Sequence, residues 1–233
     1  MLQVHDLCAF YGASQVLRGV SFTVAPGEVV ALLGRNGSGR STTARALMGL
    51  VRCTGDARWL GHPLIGLAPH EIARLGVGYV PEHRDVFPGL TVQQNLILGQ
   101  KAPAGAKARP WHLDDVYAIF PQLKLRSGTR AGVLSGGEQQ MLALGRTLLG
   151  QPDVLLIDEP TEGLAPALRE QIGELLLRLR TDGKAILLIE QKLQLALQVS
   201  DRALVMGQGR VVFEGPPSDL LDGSAIRRHW LEV

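Results

Sequence analysis

The 233-residue sequence contains only two cysteines, Cys8 and Cys53. They fit neither a metal-ligand spacing nor a disulfide framework, and a reducing compartment would keep them as thiols, so both are expected as small buried side chains. Charge of one sign is equally scarce. Twenty-four Lys and Arg against 22 Asp and Glu leave a formal net charge of +2, which gives no support for nucleic-acid binding. No apolar run approaches the roughly eighteen residues of a membrane span. The longest candidates, residues 154–157 and 185–189, read as short buried strands. The start, Met-Leu-Gln-Val-His-Asp-Leu, lacks the basic residues and apolar stretch of a secretory signal, so none is expected. No internal repeat is visible. What remains is ordinary for a globular chain, 45% hydrophobic and 20% charged, long enough for one sizeable core or two fused lobes.

Pattern and punctuation divide the chain. Residues 2–4, 20–24 and 28–33 read as strands, and a helix is expected over 41–50 with Gly49 near its end. Residues 76–80 form another short strand. From about 86 to 150 the pattern turns helical, with helices expected over 92–98, 113–120 and 138–149. The stretch 101–110, rich in Ala, Gly and Pro, reads as an exposed loop. Beyond Pro152, strands over 153–157 and 185–189 alternate with helices over 166–180 and 193–199. Two last strands, 203–206 and 210–213, flank the turn Gly207-Gln208-Gly209, and a short helix closes the chain. Strands that are apolar throughout and alternate with helices imply a parallel sheet covered on both faces. The helical stretch in the middle implies a second, smaller lobe.

Three segments carry chemistry. Gly34-Arg35-Asn36-Gly37-Ser38-Gly39-Arg40-Ser41, followed by Thr42, lies between a strand and a helix. That context lets glycine backbone N–H groups curl around phosphate oxygens at a helix N-terminus. The Ser41 hydroxyl is placed to ligate Mg²⁺. Arg40 stands where a lysine is expected, a planar fork instead of a point charge. The competing view is a glycine-rich turn with no ligand. In the second segment, an apolar strand ends in Asp158-Glu159-Pro160. Adjacent strand residues point to opposite sides, so Asp158 is assigned to the metal and Glu159 to polarising an attacking water. An acidic turn is the simpler alternative. In the third, Leu134-Ser135-Gly136-Gly137-Glu138-Gln139 opens a helix, with Ser135 as N-cap and two glycines baring N–H groups. This would be a second anion site without its own cation, of use to a dimer in which each subunit closes the other's phosphate site. A plain capped helix start is the alternative.

With these motifs in this order, the sequence resembles the ABC ATPase family over essentially its whole length. The resemblance implies an α/β P-loop NTPase: a RecA-like, mostly parallel sheet, an N-terminal antiparallel β subdomain and an inserted helical subdomain. It forms one domain, with 1–83 and 151–233 as the nucleotide-binding lobe and 84–150 as the helical signature lobe. It implies ATP and Mg²⁺ as ligands, with ATP held between Gly34 to Thr42 of one subunit and Ser135, Gly136, Gly137 and Glu138 of another. Tyr11, in Phe10-Tyr11-Gly12, matches the residue that stacks on adenine. Glu82 falls where most relatives have the Q-loop glutamine and joins Ser41 and Asp158 in the expected metal set. Gln191 falls where most have a switch histidine; it keeps a hydrogen-bond donor but not a titratable group. Residues 162–166 occupy the D-loop.

Val-Pro-Glu82, Ser-Gly-Gly-Glu-Gln-Gln, Gly-Leu-Ala-Pro and Ile-Glu-Gln191 together resemble the smaller ATPase subunits of branched-chain amino acid importers. Close relatives for urea, amides or aromatic acids remain alternatives, as does a nucleotide-gated subunit whose Arg40 slows hydrolysis. A DNA-repair or chromosome ATPase would need a coiled coil or a nucleic-acid surface that the sequence lacks. Lipid and drug exporters normally keep the Q-loop glutamine and the switch histidine. The implied partners are integral-membrane permease subunits, a second ABC ATPase subunit and, indirectly, a periplasmic binding protein. The implied location is the cytoplasmic face of the inner membrane.

Overall fold

Strand β3 (Val29–Gly34) is buried at every position, and so are β7 (Val154–Asp158) and β8 (Ala185–Glu190). A strand apolar on both faces must be covered on both faces. In the computed structural model, which describes residues 1–101, 110–221 and 224–232, these three form the centre of a six-stranded sheet. Parallel neighbours β6 (Val77–Val80) and β9 (Arg202–Gly207) flank them, and β10 (Arg210–Gly215) pairs antiparallel at the edge, giving the order β10-β9-β3-β8-β7-β6. A second, antiparallel sheet has the order β2-β1-β4-β5, from β1 (Leu2–Tyr11), β2 (Ser14–Val24), β4 (Arg52–Trp59) and β5 (His62–Pro63).

The helices follow from the same alternation. Helix α1 (Arg40–Leu47) leaves β3, and α2 (Pro69–Arg74) precedes β6. Residues 92–149 then contribute helices α3 (Val92–Gly99), α4 (Leu113–Ile119), α5 (Pro121–Leu125) and α6 (Gly136–Leu149). Helix α7 (Pro166–Thr181) joins β7 to β8, α8 (Leu193–Val199) joins β8 to β9, and α9 (Ala225–Trp230) ends the described chain. The two faces of the central sheet feed different cores. Val154 and Leu156 pack with α1 and the antiparallel sheet, whereas Leu155 and Ile157 pack with α6 and α7. Each fully buried leucine or isoleucine contributes about 1.5–3 kcal/mol of burial free energy, so one five-residue strand ties both halves together.

The expected α/β architecture with its antiparallel sheet and helical insertion is what the chain adopts. Several boundaries differ for physical reasons. Strand β1 runs on to Tyr11 beyond the expected 2–4, because an irregularity between Val4 and Leu7, with Asp6 at φ 47°, interrupts the two-residue periodicity. Strand β4 escapes sequence reading because Gly55 and Asp56 are poor strand formers; pairing with β1 supplies the order. Helix α1 starts one residue earlier than expected and stops at Leu47. Helices α2 and α5 are too short for periodicity to register. Cys8 and Cys53, expected buried, are only partly so, as neighbours of the β1–β4 pairing with free thiols. Of the expected loop over 101–110, residues 102–109 lie outside the described residues.

The turn between β9 and β10 braces the site. Gly209 (φ 78°) donates its N–H to the Ser38 carbonyl and accepts from the Arg18 N–H, joining the glycine-rich loop to β2. A Cβ there would lie 2.0 Å from the Val16 carbonyl oxygen. Gly209→Ala therefore combines a left-handed backbone penalty with a backbone clash, and we expect a loss of about 2–4 kcal/mol in chemical denaturation. A loss below about 0.5 kcal/mol, the range of an ordinary surface substitution, would contradict this geometry.

Candidate functional site

The glycine-rich loop leaves β3 at Gly34 and turns into α1 at Arg40. Arg40 and Ser41 occupy the first helical turn, so both side chains start from the rim of the loop. Ser41 Oγ donates to Asp158 Oδ1 at 3.1 Å. Arg40 Nη2 donates to Asn36 Oδ1 at 3.1 Å and pairs with Glu159 Oε1 at 2.9 Å. The two halves of the expected site, over a hundred residues apart in sequence, thus meet because β7 lies in the same sheet as β3, with β8 between them.

The separation of the two carboxylates arises differently from the expected strand alternation. Asp158 is the last residue of β7, but Glu159 has already left the strand in a left-handed conformation, φ 47°. That backbone costs about 1–2 kcal/mol for a residue with a Cβ. It is held there by the Glu159 N–H donating to the Ile189 carbonyl at 2.9 Å. Both carboxylates consequently reach the loop, one through Ser41 and one through Arg40. Strained backbone of this kind concentrates at functional sites.

Asn36, Gly37, Gly39, Arg40, Ser41 and Thr42 line a cavity of about 260 Å³. Glu82, Glu159 and Gln191, all singled out in the sequence, reach the same cavity. So do Val16 and Glu162; Glu162 was visible only as part of a loop, with no signal for its position. Asp158 is fully buried, and its pKa rises to about 6, chiefly through burial, with the Ser41 hydrogen bond opposing. Burial likewise raises Glu159, and the Arg40 guanidinium works against it. Asp158 Oδ2 is buried without a protein partner. A hydroxyl and a carboxylate with a spare oxygen at a phosphate loop fit a Mg²⁺ ion, which commonly takes one or two protein ligands and completes its shell from phosphate and water.

Gln191 follows Glu190, the last residue of β8. Glu190 is buried, accepts a hydrogen bond from Thr161 Oγ1 at 2.8 Å, and has its pKa pushed up to about 7, mainly by burial. This link between the loop after Glu159 and the end of β8 had no sequence signal. A carboxyl whose folded pKa lies above its unfolded value favours the folded state while protonated, and that contribution is lost as pH rises through the folded pKa. Glu190→Gln keeps the oxygen that Thr161 needs and removes the ionisation. By denaturant unfolding it should exceed the native chain by about 1–3 kcal/mol near pH 8 and converge with it near pH 5. The same difference at both pH values would contradict the assignment.

Other expected site residues lie elsewhere. Arg35 and Ser38 line a second cavity of about 510 Å³ shared with Arg228, His229 and Trp230 at the C-terminal helix. Tyr11 is half-exposed at the end of β1, and its hydroxyl interacts with the Arg45 guanidinium and raises the Arg45 pKa. Gly34 ends β3 beneath the loop. Ser135, Gly136, Gly137 and Glu138 form a capping box: the Ser135 side chain accepts from the Glu138 N–H, and Glu138 accepts from the Ser135 N–H at 2.8 Å. None of these four lines the phosphate-loop cavity. Gly136 instead packs against the Arg84 guanidinium.

Among the described residues no helix is long and apolar enough to cross a membrane. Residues 17–162 match the family described as ABC transporter. The chain is 41% identical over 232 residues to the high-affinity branched-chain amino acid transport ATP-binding protein BraG of Pseudomonas aeruginosa, covering 99% of each. It is 37% identical to the probable branched-chain amino acid transport ATP-binding protein LivF of Archaeoglobus fulgidus, over 95% of this chain and 94% of the relative. A solved ATP-binding subunit of an ABC transporter superposes with a TM-score of 0.80 at 30% identity, covering 98% of this chain and 92% of that one. A loop that brings Arg40 and Ser41 onto Asp158 and Glu159, within a fold shared along its length with transporter cassettes, places this chain in the ABC transporter family as an ATP-binding and ATP-hydrolysing subunit.

Proposed function

We propose that the chain powers an importer of branched-chain amino acids by hydrolysing ATP at the interface with a second ABC ATPase subunit. The observation that carries the hydrolytic part is the convergence of Arg40, Ser41 and Glu159 on one cavity, with Asp158 bonded to Ser41 behind it. The cargo rests on the relatives named above and on Glu82 and Gln191 standing where a glutamine and a histidine are usual; urea, amide or aromatic-acid import is the neighbouring alternative.

In this mechanism the loop N–H groups and Arg40 bind the phosphates, and Thr42 continues the helix start that they approach. Ser41 and Asp158, with Glu82 acting through water, would hold Mg²⁺, which neutralises phosphate charge when bound. Glu159 orients the attacking water and accepts its proton. Gln191 donates a hydrogen bond toward the terminal phosphate. Tyr11 offers a face to the adenine once its contact with Arg45 adjusts. The helix start at Ser135–Glu138 serves a partner's nucleotide, since it stands outside this chain's own cavity. The partner's helix start would complete the site formed here, whether that partner is a second copy or a different ATPase.

The chain works as one ABC ATPase domain, 1–83 and 151–233 holding nucleotide and 84–150 carrying the signature. It sits peripherally on the cytoplasmic face of the membrane, with a periplasmic binding protein delivering cargo on the other side. Phe87, Ile97 and Leu98 expose large apolar side chains on the helical insertion, a surface suited to a permease helix. Co-purification tests the assignment. The chain should be retained by the permease subunits of a branched-chain amino acid importer, and the triple exchange of Phe87, Ile97 and Leu98 for serine should abolish retention. Retention unaffected by that exchange would remove the docking surface, and failure to associate with any permease would remove the transporter role.

A further inference from the structure

Arg40 stands where incoming phosphate must bind, yet it is already engaged. Its Nη2 reaches Asn36 Oδ1 and Glu159 Oε1 at 3.1 and 2.9 Å. Its side chain is only 4% exposed and that of Glu159 only 10%. Its other terminal nitrogen, Nη1, is buried and has no partner. An enclosed donor without an acceptor is unfavourable, and a guanidinium directs its donors along fixed, divergent lines. Arg40 lines the phosphate-loop cavity, and a phosphate oxygen bound there would supply the acceptor that Nη1 lacks.

We infer that Arg40 is a positioning residue for Glu159: one arm of its fork holds the carboxylate while the free arm takes a phosphate oxygen, so a single side chain fixes the nucleotide and the water-orienting group relative to each other. The inference rests on the ATPase reading above. Three features favour a lasting grip over a contact that phosphate displaces. Splitting an enclosed ion pair leaves a buried charge uncompensated. Asn36 aims the fork, so the arrangement is held from two sides. The Glu159 main chain is pinned by its left-handed backbone and the Ile189 carbonyl, which leaves the side chain as the freedom that Arg40 removes. A lysine gathers its donors at one point on a flexible stem; it can neutralise phosphate but does not impose the same fixed separation.

Arg40→Lys in the full chain separates the two tasks. We expect Mg–ATP affinity by titration calorimetry, and KM, within about fivefold of native, with kcat lower by about tenfold or more. In the Glu159→Gln background the same exchange should lower kcat no further, because there is no longer a carboxylate to position. Asn36→Ala, which removes the acceptor that aims the fork without altering charge, should lower kcat about threefold or more at unchanged affinity, and it carries the test if Arg40→Lys fails to fold. Native-like kcat in both variants, or a loss of the same factor with and without Glu159, overturns the inference. A native chain that neither binds nor hydrolyses Mg–ATP overturns the ATPase reading instead, and the two failures are told apart by that control.

Discussion

Glu159→Gln should slow phosphate release by about 10²–10⁴-fold while leaving Mg–ATP bound. The amide is close in shape to the carboxylate, and its oxygen can still accept from Arg40 Nη2. What it loses is the capacity to take a proton from water. Affinity should stay within about threefold, since removing a negative charge near the phosphates favours binding while weakening the Arg40 pairing opposes it. Burial raises the Glu159 pKa, and Arg40 works against the rise. Equilibrium binding and phosphate release measured on one preparation give the answer. A variant that still releases phosphate at the native rate would assign water activation to another group, with Glu162 in the same cavity the first candidate.

Gly136→Glu should be nearly as damaging, by about 10²-fold or more in hydrolysis, without weakening ATP binding to the isolated subunit. A Cβ on Gly136 would meet only the end of the Arg84 side chain, at 3.0 Å. That group is flexible enough to move, and a glutamate in the first turn of α6 suits the helix dipole. The fold should therefore survive with an unchanged melting temperature. The new carboxylate would, however, occupy the helix start and repel a partner's terminal phosphate. Gly137 would be a poorer probe, because a Cβ there lies 2.7 Å from Leu168 Cδ2 and would confuse packing with function. If Gly136→Glu hydrolyses ATP normally in the assembled transporter, the helix start plays no part in closing the nucleotide site.

These expectations draw on different depths of information. The phosphate loop, the strand ending in Asp158 and the Ser135–Glu138 cap were legible because each is a local pattern: glycine spacing, an apolar run meeting acids, a serine three residues before a glutamate. The two-layered burial of β7 was legible for the same reason, since an unbroken apolar strand has to be covered on both faces. Contacts between distant segments were not. Nothing near Arg40 in sequence announces Glu159, and nothing near Glu190 announces Thr161; the sheet order places those partners. The left-handed turn at Glu159 is equally silent, because glutamate has no preference for it. Strand β4 was lost to its glycine and aspartate, and β1 was cut short by the bulge at Asp6, both cases where pairing outweighs local propensity. The signature was recognisable, and the resemblance already assigned it to another subunit's nucleotide; the structure adds that it does not line the chain's own cavity.

Uptake of labelled leucine into proteoliposomes containing the assembled importer, followed together with phosphate release, tests the coupling most directly. With the native chain, uptake should require ATP and rise in proportion to phosphate released. With Glu159→Gln both should fall to background although Mg–ATP remains bound. Undiminished uptake with the variant, or phosphate release that continues without any leucine uptake by the native complex, would contradict the account.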